Sequence, residues 1–83
     1  MNKKNLEDRV WLTELKFLNS YLKIAETALT MKHIGMMGDY LFMFAKAYNE
    51  RLGDNIPRKY IKTIREYNQR YSNLFNEYKK LKD

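Results

Sequence analysis

The stretch 57-PRKYIKTIREYNQRYSNLFNEYKKLK-82 decides the fold. Its apolar residues Tyr60, Ile64, Tyr67, Tyr71, Leu74, Tyr78 and Leu81 recur at alternating spacings of four and three without a gap. At 100° per residue that set gathers on one seam, the pattern of a helix that packs against another helix. Pro57 suits the first turn of such a helix, where an N–H has no partner to lose. Beside the seam Arg58, Lys62 and Arg65 stand at i, i+4 and i+7 with no acid among them. Gln69, Asn76 and Lys80 extend the same row. Residues 56–83 hold eight bases against three acids, and so carry five of the six net positive charges of the chain. One segment thus combines a packing seam with most of the electrostatic bias.

Two further helices are legible upstream. Leu52 is followed by Gly53, the residue preferred just past a helix end, and Asp54 and Asn55 supply turn groups. Before them Ile34, Met37, Leu41, Phe44 and Tyr48 keep heptad spacing, with Met36, Tyr40, Met43 and Ala47 in a second row and Phe42 further round. Gly35 and Gly38 mark the expected break between the first two helices, since glycine can end a helix and permit a sharp turn. The first helix is expected to open at Asn5, with Glu7 and Asp8 complementing its dipole. Its seam is Trp11, Leu15, Leu18, Leu22, Ala25 and Leu29, and a second apolar row runs Val10, Phe17, Tyr21, Ile24, Ala28 and Met31. Arg9, Lys16, Asn19, Lys23, Glu26 and Thr27 remain as a narrow solvent face.

The expected fold is all-α: a three-helix hairpin or bundle in a single domain, 1–83, with helices near 5–32, 36–52 and 56–82. Two long helices around a short one would leave apolar faces half covered, and a homodimer covers them most simply. Trp11, Leu15, Leu18, Leu22, Tyr40 and Met43 are the residues expected to carry that self-association.

Composition narrows the chemistry. The chain has 83 residues and no cysteine, so disulfides, thiolate metal sites and cysteine nucleophiles are excluded. Its single histidine, His33, stands beside Lys32 and the expected break, a place typical of helix ends rather than of general bases. No spacing of His, Asp or Glu suggests zinc or calcium, and Gly35 and Gly38 lack the Gly-Lys-Ser/Thr of a phosphate loop. No catalytic residue, metal or cofactor is expected, and the chain reads as non-enzymatic. The N-terminal residues lack the apolar stretch of a signal peptide, and Ile34 to Ala47 is too short and too interrupted to span a bilayer. A cytoplasmic protein without membrane association is the expectation.

A net charge of +6 and an isoelectric point near 9.6 favour an anionic partner. The partner-binding candidates are Arg58, Lys62, Arg65, Gln69 and Lys80, which would meet an acidic protein surface or a nucleic-acid backbone. The expected function is a small interaction protein, a regulator or inhibitor of the kind mobile elements encode. Two alternatives use the same helix. In one, helices 2 and 3 form a DNA-reading helix-turn-helix. In the other, Tyr60, Tyr67, Tyr71 and Tyr78 stack nucleobases in a nucleotide-sequestering oligomer, although a tyrosine stripe at seam positions is far more often core.

Overall fold

The computed structural model describes the backbone of residues 3–51 and 56–83 and the side chains of 8–50 and 56–83. Three α-helices, α1 (Lys3–Thr30), α2 (Ile34–Arg51) and α3 (Arg58–Lys82), pack together, and no strand occurs among the described residues. α1 opens two residues earlier than expected, so Asn5 lies inside the helix and no acid falls in its first turn. The Gly53 end signal of the second helix and the Asp54–Asn55 turn lie outside the described residues.

The break between α1 and α2 is built differently from the sequence expectation. His33 N–H donates to the Ala28 carbonyl (2.8 Å) and Lys32 N–H donates to the Leu29 carbonyl (3.0 Å). This paired closure needs one residue in the left-handed conformation, a place glycine usually fills. Here Lys32 fills it, at φ 56°. His33 then starts the next helix. Its Nδ1 accepts the Met36 N–H (3.1 Å) and its carbonyl accepts the Met37 N–H (3.0 Å), which makes the lone histidine the N-cap of α2.

Gly35 and Gly38, expected to break the helix, both lie inside α2. Gly38 is there for a neighbour: a Cβ at that position would fall 2.8 Å from the Tyr78 hydroxyl oxygen and 3.1 Å from its ring. Without a side chain at 38, the tyrosine of α3 lies directly on the α2 backbone.

All three helices supply the core. Leu15, Leu18, Leu22, Ala25 and Ala28 of α1 are buried against Met37, Leu41 and Phe44 of α2 and Tyr60, Ile64 and Leu74 of α3. Burying a side chain the size of Leu, Met or Phe contributes about 1.5–3 kcal/mol, and Phe44, Leu18, Leu22 and Met37 are the largest that are wholly enclosed. Ala25 and Ala28 add little area but let α1 and its neighbours approach closely. Aromatic rings line the rest of the α2–α3 contact. Phe44 stacks on Tyr71 at 5.0 Å, Tyr71 on Phe75 at 5.9 Å, and Phe75 meets Tyr78 at 6.3 Å. The Tyr48 hydroxyl accepts a hydrogen bond from Asn68 Nδ2 (3.0 Å), so its polar end is satisfied at the rim.

The bundle measures 50 × 18 × 17 Å. At 1.5 Å per residue the 18 residues of α2 make a rod of roughly 27 Å. Such a rod cannot lie across an 18 Å width, so α2 runs along the long axis beside its neighbours. None of the described helices is long and apolar enough to cross a membrane.

Candidate functional site

α3 divides cleanly into two poles. Tyr60, Ile64 and Leu74 are buried, and Tyr67, Tyr71, Tyr78 and Leu81 are half-buried against the core. Opposite them Arg58, Lys62, Arg65, Gln69, Asn76 and Lys80 are all exposed. The row predicted as a stripe therefore forms the outward pole of the helix. From Arg58 to Arg65 it rises about 10 Å along the axis.

The bases of α3 fall into two groups. Lys59 pairs with Asp8 of α1 at 2.8 Å and lies 5.2 Å from the centre of the Tyr60 ring. Its hydrogen bond to Asp8, together with that carboxylate's charge, raises the Lys59 pKa above the ordinary lysine value. Arg70 grips Glu26 of α1 through two bonds, Nη2 to Oε1 at 2.7 Å and Nε to Oε2 at 3.2 Å. Its Nη1 also donates to Asn19 Oδ1 at 2.8 Å, and the guanidinium lies 5.7 Å from the Tyr67 ring. Lys79 sits over Phe75 and Lys82 over Tyr78, while Lys80 reaches Glu77 at 3.4 Å. Each of these five bases has a partner within the chain. Arg58, Lys62 and Arg65 have none among the described residues.

The paired set corrects one sequence expectation. Asn19 and Glu26, assigned to the solvent face of helix 1, instead turn towards α3 and hold Arg70. Glu66, four residues after Lys62 and four before Arg70, pairs with neither. The signal was present in part, because Asn19 and Glu26 lie seven residues apart on one flank of the α1 seam. Their partner is 44 residues or more away, and one helix's periodicity cannot name it.

One of the free bases also sits where helix electrostatics opposes it. α3 opens at Arg58 and Lys59 with no acid in its first turn, and Pro57 provides no side-chain cap. A helix N-terminus carries about half a positive charge, so cations there are destabilising by some tenths of a kcal/mol. Lys59 is compensated by Asp8; Arg58 is not.

The residues expected to self-associate are mostly used within one chain. Leu15, Leu18 and Leu22 are buried core, Trp11 packs at 6.2 Å on Tyr60, and Tyr40 packs at 6.3 Å on Tyr21. Only Met43 of that set is exposed. Of this set a second chain could meet Met43 freely and the half-buried Trp11 and Tyr40 in part, but not the three leucines. The tyrosines of α3 likewise turn inward, so they offer no open row of rings to nucleobases. A helix-turn-helix needs its two helices to cross at about 90–120°, which the side-by-side packing of α2 and α3 does not provide.

Comparison of the chain with protein-family models, with curated proteins and with solved structures finds no match.

Proposed function

We propose that the chain is a non-enzymatic helical docking module, acting as a homodimer, whose α3 stripe holds the acidic surface of a protein partner. One observation carries this reading. Of the eight bases on α3, five have a partner within the chain, Lys80 of the outward row among them, and Arg58, Lys62 and Arg65 have none among the described residues. Unpaired cations repeated at one-turn spacing repel one another, and one of them stands at the unfavourable helix end. A folded chain gains nothing locally from that arrangement. A partner bearing a row of carboxylates would gain from it through charge-assisted hydrogen bonds and faster encounter. Nucleic acid is the second reading, because phosphates answer the same charges. Carboxylates are preferred because the row is short and no aromatic ring stands beside it to stack bases.

The test is capture from the native host, with and without nuclease, using wild type and the variant Arg58→Gln/Lys62→Gln/Arg65→Gln. The expected result is a nuclease-resistant protein partner whose affinity for the variant falls at least about tenfold, with a weaker salt dependence. Equal recovery of the same partner by both proteins would remove the stripe from the docking surface. Loss of the captured material on nuclease treatment would move the reading to nucleic acid.

A further inference from the structure

The outer face of α2 carries apolar groups that no other helix covers. Phe42 is 68% exposed, Met43 40% and, on the adjoining row of α1, Phe17 52%. Tyr21 of α1 with Phe42, Met43, Lys46 and Ala47 of α2 lines a shallow groove of about 260 Å³, with Glu50 at one end. Phe17 stacks on Tyr21 at 6.4 Å and prolongs the apolar surface along α1.

Charge says what fits this surface. Asp39 and Lys46 are both exposed and flank Phe42 at i−3 and i+4 on the same side of the helix. They stand about 10 Å apart along the axis, too far to pair with each other. Neither takes an ion pair among the described residues. An apolar centre with an acid one turn before it and a base one turn after it is self-complementary under a twofold axis. Each such contact then recurs in reciprocal form.

We infer that this face binds a second copy of the chain, with α2 packed antiparallel to its counterpart about a dyad between residues 42 and 43. Asp39 then meets Lys46 of the second copy, and Lys46 meets its Asp39. Phe42 lies beside Met43 of the second copy, a sulfur–aromatic contact, and its ring enters the groove bounded by Tyr21. The inference rests on the homodimer reading and moves the contact from the α1 seam to α2. No residue of the α3 stripe belongs to this face, so a dimer presents two stripes to partners.

Sedimentation equilibrium over a wide concentration range tests it, with wild type, Phe42→Gln, Asp39→Lys and Lys46→Asp. All three positions are exposed, and unchanged far-UV circular dichroism verifies that the variants fold. Wild type is expected to dimerise. Phe42→Gln, and each charge variant alone, is expected to weaken the dimer by about tenfold or more, the latter by opposing like charges. Mixing the two charge variants in equal amounts restores both attractive pairs and should return the dimer to near wild-type affinity. A wild type that stays monomeric at every concentration overturns the homodimer reading together with this one. A wild-type dimer that none of the three variants weakens keeps the homodimer and overturns this face.

Discussion

Lys32 holds the turn between α1 and α2 in a conformation that its Cβ opposes. For an L-residue with a side chain the left-handed region costs about 1 kcal/mol, whereas glycine enters it freely. The two closing hydrogen bonds, Lys32 to Leu29 and His33 to Ala28, hold the backbone there regardless. Lys32→Gly is therefore expected to stabilise the protein by up to about 1 kcal/mol, offset in part by the extra freedom of glycine in the unfolded chain. For a chain of this size that corresponds to a rise in melting temperature of a few degrees, read by far-UV circular dichroism. Lys32→Ala keeps the Cβ and should show no such gain. Equal effects from glycine and alanine would mean that the lysine side chain, and not its backbone angle, sets the cost. His33 has a matching role one residue on, because its imidazole supplies the cap that α2 would otherwise take from Ser, Thr, Asp or Asn.

At the scale of the element, the two glycines of α2 should respond oppositely to the same substitution. A Cβ at Gly35 would meet only the His33 ring, at 3.7 Å, an ordinary contact. Gly35→Ala is expected to stabilise by about 0.5 kcal/mol, since alanine favours the helix over glycine. Gly38→Ala meets the Tyr78 ring and hydroxyl at 2.8–3.1 Å and must push α3's tyrosine aside. It should lose the propensity gain and more, and Tyr78→Phe in the same chain should recover part of the loss by removing the nearest atom. A Gly38→Ala variant as stable as Gly35→Ala would show that α3 does not lie so close.

These helices also show what the sequence made legible. α3 could be read almost entirely, because its apolar and basic sets are each complete within one helix and both keep helical spacing. The α1 seam was equally plain, yet periodicity does not say whether a seam closes on the same chain or on another. Leu15, Leu18 and Leu22 close on their own chain. The turn was misread because glycine is the usual signal for a left-handed residue, and here a lysine takes that position while the glycines serve packing. Among the candidate site residues, spacing alone placed Arg58, Lys62 and Arg65 on one face. It could not show that Lys59 and Arg70 are taken up by Asp8 and Glu26, which is what sets the other three apart.

For the whole molecule, charge and stability pull in opposite directions. Eight bases on one helix against two acids, Glu66 and Glu77, concentrate the net charge of the chain along one helix of a narrow rod. The α1 acids Asp8 and Glu26 offset two of those bases at the rim of the bundle, and both pairs remain partly exposed, so solvent screens them and they add little to stability. Among the described residues no carboxylate pairs with Arg58, Lys62 or Arg65. Arg58→Gln/Lys62→Gln/Arg65→Gln halves the net charge while leaving helix propensity almost unchanged, since Arg, Lys and Gln rank together. At low ionic strength the variant is expected to be more stable than wild type by about 1 kcal/mol, the sum of two relieved like-charge pairs and a relieved helix end. The screening length falls from about 30 Å at 0.01 M salt to about 3 Å at 1 M, whereas neighbouring bases of the stripe lie about 5–6 Å apart along the axis. The gain should therefore vanish as salt is raised. Thermal melts of both proteins across that salt range provide the measurement. A variant less stable than wild type at low salt would mean that the stripe serves folding, and its claim to a partner would fall. A gain that fades with salt would mean that the free protein bears an electrostatic cost, which screening relieves and which a bound anionic surface would relieve as well.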